Sequence, residues 1–175
     1  GSEAWCLDAA RDIYSGSDMG SARLWIGTHP MTGFDAVAAK KVHQVLGQTY
    51  DVVVFNGRSG FDVDALGAVS GTIRGGGQLC LLMPSFAHWS TYADPVRTRF
   101  TAFGYSETDI KPRWFSHLQR SIAESTGVLM LDQTGAVRGR LPRLQREPET
   151  DTELNDADCV TSDQVDAVEA VIRAA

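Results

Sequence analysis

The 175-residue chain is long enough for one domain with a real core, burying roughly 70% of the surface its unfolded form exposes. Hydrophobic residues at 43% and charged residues at 22% are ordinary globular values. No apolar run approaches the about 20 residues that span a bilayer, so a soluble protein with no membrane partner is expected. A net charge of −6 works against holding nucleic acid through the overall field, and any RNA contact has to be local. Residues 1–7 lack the basic start and long apolar stretch of a signal peptide, and Gly1-Ser2 reads equally as native sequence or a cloning remnant. Cys6, Cys80 and Cys159 are odd in number and too far apart for a metal knuckle, which points to reduced thiols in a cytoplasmic protein, with Cys80 in LCLLM as a buried small hydrophobe.

In chain order, residues 22–26 (ARLWI), 51–55 (DVVVF), 78–83 (QLCLLM) and 128–131 (VLML) are short apolar runs bounded by turn residues, and each reads as a buried strand. Between them, Phe34, Val37, Ala38, Val42, Val45 and Leu46 repeat at helical spacing. So do Leu66, Val69 and Ile73 after the cap Asp62. Pro112 suits the first turn of a helix whose Trp114, Phe115, Leu118 and Ile122 form one apolar face, with Arg113, His117 and Arg120 on the rest. Gln133-Thr134-Gly135 reads as a hairpin turn into residues 136–141. Strands alternating with helices predict an α/β fold: a Rossmann-like, mostly parallel sheet flanked by helices, with a C-terminal β-hairpin. Residues 147–160 hold a run of acids without a base and read as a linker. Thr161-Ser162-Asp163-Gln164 is a capping-box pattern leading to Val165, Val168 and Ile172 on one helical face.

Phosphate-binding loops run from strand to glycines to helix, because free N–H groups at the helix start hold the phosphate. Gly75-Gly76-Gly77 stands in the opposite order and reads as a helix C-cap turning into the next strand. The turn with the right polarity is the preceding one, Asn56-Gly57-Arg58-Ser59-Gly60-Phe61-Asp62, after DVVVF. It matches neither G-x-G-x-x-G nor the P-loop. Two readings stay open: a glycine-rich turn capped by Asp62, or a small anion or ribose pocket using Arg58 and backbone N–H groups.

No catalytic constellation is visible. His29, His43, His88 and His117 lack metal-ligand spacing, so no metal is expected, and Ser59 lacks the G-x-S-x-G frame of a nucleophile elbow. One basic cluster stands out: Arg138, Arg140, Arg143 and Arg146 in VRGRLPRLQR. Arginines on a protruding ribbon reach RNA phosphates, or they face the acidic stretch downstream. Lys111, Arg113 and Arg120 form a weaker group, and Trp89 and Tyr92 read as a packed loop rather than a base-stacking platform.

The run YDVVVFNGRSGFDVDALGAVSGTIRGGGQLCLLMP, residues 50–84, resembles the N-terminal domain of the bacterial tRNA(Met) cytidine acetyltransferases. The shared pattern is an apolar strand, a turn ending in G-[FL]-D, the helix D-A-[LF]-x-A-[LV]-[SA]-G-T, a glycine-rich joint and an apolar strand ending in Pro. Weaker matches are LWIG, the loop at 89–97 and PRWFSHLQR. The resemblance implies a Rossmann-like domain over 1–146, a linker over 147–160 and, from Gln164 onward within 161–175, the lead-in to a truncated helicase-like module. It also implies that the whole enzyme uses acetyl-CoA and ATP to make N4-acetylcytidine at the wobble position of the elongator methionine tRNA. This chain would then be a cofactor-free, non-catalytic part that docks on the helicase-like and acetyltransferase domains and helps to hold tRNA.

Two positions depart from the family pattern. Asn56-Gly57 stands where relatives have Asp-Ala, and the family's apolar strand before residue 2 is missing, which would expose a sheet edge able to pair with a second copy as a dimer. The rival readings are a methyltransferase-like nucleotide-binding domain, which LWIGTHPMTG fails to equip with a cofactor turn, and a free-standing interaction domain. Saturable binding of S-adenosylmethionine would favour the former.

Overall fold

The computed structural model describes residues 1–15, 20–111 and 113–140. They form α1 (Glu3–Tyr14), β1 (Arg23–Ile26), β2 (Asp35–Val37), β3 (Tyr50–Asn56), α2 (Val63–Ser70), β4 (Ile73–Leu82), α3 (Arg113–Glu124), β5 (Leu129–Leu131) and β6 (Val137–Gly139), with 3₁₀ turns in the connections. Pro112, Arg143, Arg146, Gln164, the acidic stretch 147–160 and the helical pattern at 165–172 lie outside the described residues.

β3 is the centre of the molecule, and all seven of its residues are buried. An unbroken apolar run of this kind suits a strand covered on both faces. It pairs in parallel with β1 on one side and β4 on the other, and β2 adds in parallel to β1, giving the order β2-β1-β3-β4. Alternation along β3 separates two cores. Val53 and Phe55 face Phe61, Ala65 and Val69 around α2 and Phe115 of α3. Val52 and Val54 face the opposite layer, where Cys6, Ala10 and Tyr14 repeat every four residues along α1 and meet Trp25. Ser2 caps α1 by accepting from the Trp5 N–H at 3.3 Å, a start signal followed by the Cys6-Ala10-Tyr14 spacing that the sequence reading passed over.

Four local expectations are corrected. The segment from Phe34 to Leu46 is not a helix: Asp35–Val37 is β2 and Ala39–Val45 is 3₁₀. The free side of β1 takes Asp35, Ala36 and Val37 as ladder partners, so sheet pairing overrides the helical periodicity. Gly75-Gly76-Gly77 does not cap a helix either. α2 stops at Ser70 with Gly71 as its cap, and Ile73 already opens β4. The glycines lie inside β4 as an irregularity, since Tyr50 pairs with Ile73 but Val52 pairs with Gln78.

That bulge has a physical cause. A Cβ on Gly77 would stand 2.9 Å from the Asp51 carbonyl oxygen, so only glycine permits the approach. The looped-out Arg74 guanidinium pairs with Asp51, whose side chain is 7% exposed and also accepts from the Ala22 N–H at 3.0 Å. The bulge thus supplies a counter-charge to a carboxylate buried at the start of the central strand.

The third correction concerns residues 128–131, whose strand β5 is not a buried member of the main sheet. It pairs antiparallel with β6 in a separate two-stranded ribbon, with Leu129 and Leu131 exposed. The Gln133-Thr134-Gly135 hairpin turn is present, with the Gly135 N–H donating to the Asp132 carbonyl at 3.0 Å. The fourth concerns Trp114, which is 39% exposed while Phe115 of the same helix is buried and Leu118 and Ile122 pack on the core. Two aromatics in succession point about 100° apart on a helix, and only one meets the core.

Candidate functional site at the carboxyl edge of the sheet

The chain runs from β1 outward to β2 and returns past β1 to β3, so the order reverses between β1 and β3. Ligands of open α/β sheets bind outside the strand ends at such a point. Here the crevice is bridged from within. The Thr28 carbonyl accepts from Trp25 Nε1 at 2.9 Å and from Asn56 Nδ2 at 3.1 Å. Next to it His29 holds φ +57, an uncommon conformation outside glycine, with Nδ1 3.4 Å from the Glu3 carboxylate.

The turn after β3 has the strand-to-helix polarity expected of it. Asn56 is buried, and its Oδ1 accepts from the Arg58 N–H at 3.2 Å, while Ser59 Oγ donates back to the Asn56 carbonyl at 2.9 Å. Gly57 is buried against Met83 and Phe61. Gly60 has φ +126, and a Cβ there would meet Val96 at 2.5 Å. Asp62 caps α2 by accepting from the Ala65 N–H at 3.1 Å, and its other oxygen accepts from Arg99 Nη1 at 2.5 Å. The Arg99 hydrogen bond holds the Asp62 carboxyl below its usual range.

Sequence reading missed Asp94 and Arg99. The buried Asp94 carboxylate accepts from the Phe61 N–H at 3.2 Å and from the Val96 N–H at 3.0 Å. It occupies, from within the chain, the place beside the turn that an anionic ligand would need. The available signal was Asp94-Pro95, a pair that favours a side chain folding back on its own backbone. The Arg58 and Phe61 N–H groups of the turn are thus held by acceptors of the chain itself and are not free for a nucleotide phosphate.

What stays open is a cleft of about 550 Å³ below the turn, lined among others by Arg58, Ser85, His88, Gln133 and Thr134. It lies at the carboxyl ends of β3 and β4, against the β5–β6 turn. Arg138 and Arg140 are both exposed at the far end of that ribbon, and Arg138 shares its register with Met130. The turn residues and these arginines are separate features, on different elements. Trp89 is buried and Tyr92 half-buried, donating its hydroxyl to the Arg58 carbonyl at 3.3 Å, as a packed loop requires. Among the described residues no three His, Cys, Asp or Glu side chains are placed to hold a metal ion, and no helix is long and apolar enough to cross a membrane.

Cys80 is half-buried, not fully buried as its apolar run suggests, and desolvation pushes its thiol up to about 11, with the Tyr14 hydroxyl beside it likewise raised by burial. Neither group serves as a nucleophile near neutral pH.

A parallel sheet with helical layers on both faces and a glycine-bearing turn at its carboxyl edge defines a Rossmann-like α/β domain. The family model described as tRNA(Met) cytidine acetyltransferase TmcA, N-terminal, matches residues 1–133, and the chain belongs to that family. It is 35% identical to the tRNA(Met) cytidine acetyltransferase TmcA of Nitrosococcus halophilus over 99% of this chain and 24% of that protein. To the TmcA of Pectobacterium atrosepticum it is 32% identical over 76% of this chain and 18% of that protein. The TmcA of Haloferax volcanii gives 29% over 94% of this chain and 24% of that protein. The chain therefore spans about a quarter or less of the length of the curated relatives it matches.

Proposed function

We propose that this chain is the non-catalytic N-terminal module of a longer tRNA(Met) cytidine acetyltransferase, serving to dock the catalytic modules and to support tRNA. The observation that carries the reading is the family match over residues 1–133, on a fold whose carboxyl-edge turn is closed by its own Asn56 and Asp94. Acetyl-CoA and ATP then act in helicase-like and acetyltransferase modules beyond this region, and the product is N4-acetylcytidine at the wobble position. The Rossmann-like part covers 1–146, the acidic linker 147–160, and Gln164 in 161–175 leads into the helicase-like module. Arg138, Arg140, Arg143 and Arg146 form the RNA-facing arm, touching phosphates rather than bases. Residues Asn56, Gly57, Arg58, Gly60 and Asp62 shape the carboxyl edge. The setting is cytoplasmic, where tRNA is modified, and the three-residue β2 and the glycine-interrupted β4 are the sheet edges through which two copies would pair.

The test takes the full reading frame that contains this region, incubates the purified product with methionine tRNA, acetyl-CoA and ATP, and measures acetylcytidine by mass spectrometry of the digested tRNA. Acetylcytidine from the full-length protein and none from the 175-residue chain is the expected result. A full-length protein that leaves the tRNA unmodified, or an isolated chain that binds S-adenosylmethionine saturably, overturns the reading.

A further inference from the structure

The exposed aromatic rings are not scattered over the molecule. Among the described residues Phe100, Phe103, Tyr105 and Trp114 are the exposed ones, and all fall within residues 100–114. Phe103 is wholly in solvent, while the aromatics of the other elements are buried or half-buried. Large apolar groups gathered on one stretch of surface mark a place where something binds.

The loop that carries the first three rings and the helix α3 that carries the fourth are anchored on the same residue. The Asp94 carboxylate at the start of the loop accepts from the Phe61 N–H at 3.2 Å, and the Phe115 ring of α3 is 5.3 Å from the Phe61 ring. Gln119 Nε2 adds a hydrogen bond to the Phe86 carbonyl at 2.7 Å. α3 thus turns Phe115, Leu118 and Ile122 inward, and at about 100° per residue this sets Arg113, His117 and Arg120 on the opposite, exposed face. Trp114 stands beside that face, its ring 6.0 Å from the His117 ring.

The cations of this face are unmatched. Among the described residues no carboxylate lies within ion-pairing distance of Arg113 or Arg120, whereas Arg97 and Arg99 at the start of the loop are paired with Glu107 and Asp62. Lys111 acts on the Asp109 carboxylate and is not counted. From Arg113 to Arg120 the helix holds no acid, in a chain whose net charge is −6. Unmatched guanidiniums call for an anion, and exposed rings call for a flat apolar surface. An unpaired nucleotide offers both, phosphate to the one and a base face to the other. A duplex keeps its base faces in the stack, and an apolar protein surface leaves the guanidiniums without a partner.

We propose that the 100–105 loop and the outer face of α3 form a binding surface for single-stranded RNA, with Arg113 and Arg120 on phosphates and Phe103, Tyr105 and Trp114 as stacking surfaces for unpaired bases. The inference deepens the proposed tRNA-supporting role and rests on it for the identity of the RNA, since tRNA presents unpaired nucleotides in its loops and at its 3′ end. It differs from the ribbon arginines in reading base faces as well as phosphates.

The test titrates the 175-residue chain with an oligouridine of about ten nucleotides and with a blunt RNA duplex carrying the same number of phosphates. Tryptophan fluorescence and the anisotropy of end-labelled RNA are read together. Trp25 and Trp89 are buried and Trp5 half-buried, so quenching reports chiefly on Trp114. Saturable quenching by the oligouridine is expected, with the duplex bound about fivefold or more weakly. Trp114→Ala and Phe103→Ala should each weaken the single strand about fivefold, and Arg113→Gln/Arg120→Gln should lower the salt slope by about 1.4 on logarithmic axes. All four side chains are exposed, so unchanged circular dichroism is expected throughout. Absence of quenching, wild-type affinity in these variants, a duplex bound as tightly as the oligouridine, or polyaspartate quenching as strongly as RNA would overturn the proposal. Single-strand binding lost only in Arg138→Glu/Arg140→Glu overturns this surface and leaves the tRNA-supporting role intact. A full-length protein that makes no acetylcytidine removes that role and leaves a measured single-strand surface standing.

Discussion

Asp94 shows how a single carboxylate decides what a loop can do. Its oxygens satisfy the Phe61 and Val96 N–H groups from a position 7% exposed to solvent, so they close the turn after β3 and tie residues 94–96 to α2. Truncation in Asp94→Ala leaves both donors buried without acceptors, at a cost of about 2–4 kcal/mol, whereas Asp94→Asn keeps one acceptor oxygen and loses less. Urea unfolding of the three proteins checks the order, wild type above Asn above Ala, and equal stability of Asn and Ala would contradict it. At the same scale, the Cys80 thiol is raised to about 11 by burial beside Tyr14. It is expected to resist iodoacetamide at pH 8 in the folded protein and to react once urea unfolds the chain, which peptide mass mapping reads directly.

Among the elements, α2 carries the clearest link from sequence to charge. Asp62 is both its N-cap and the partner of Arg99 across 37 residues. Its folded-state pKa lies below the ordinary 3.8, so its contribution is fully present above that pH and is lost as pH falls through the lower folded value. The melting temperature of the wild type should therefore drop more steeply below pH 3.8 than that of Asp62→Asn, which keeps the cap but not the charge. Parallel curves for the two proteins would mean that Arg99 contributes nothing. Asp62→Ala removes the cap as well and costs about 1 kcal/mol more.

The same scale shows what could be read from the sequence. DVVVF as a central strand and Asp62 as a cap were legible because burial on both faces and capping each leave a local pattern. β2 was not, because its three residues are a strand only by virtue of pairing with β1. The triple glycine was misread for a related reason. A helix end and a strand bulge both call for glycine, and the choice between them lies in Asp51, which sits two dozen residues upstream and needs Arg74. In the site, Arg58 and the turn polarity were visible, but Asp94 and the cleft wall of Ser85, His88 and Gln133 arise from three segments that only the fold assembles.

For the whole molecule, a net charge of −6 sets the terms on which this domain can meet tRNA. A diffuse field would repel it, so the proposed tRNA contact is local, at the ribbon end where Arg138 and Arg140 are both exposed. Affinity held by a few phosphate contacts falls with salt at a slope of about 0.7–0.9 per contact on logarithmic axes. Charge reversal at two ribbon arginines should therefore lower both affinity and slope while leaving the fold intact, since both side chains are exposed.

The most direct measurement is the acetylation rate of the full-length protein on methionine tRNA as a function of tRNA concentration, in wild type and in Arg138→Glu/Arg140→Glu. A supporting domain predicts that the variant raises KM for tRNA about tenfold with kcat little changed, since binding that is equal in ground and transition states enters KM alone. A fall in kcat at unchanged KM, or no acetylcytidine from the wild type at all, would contradict it.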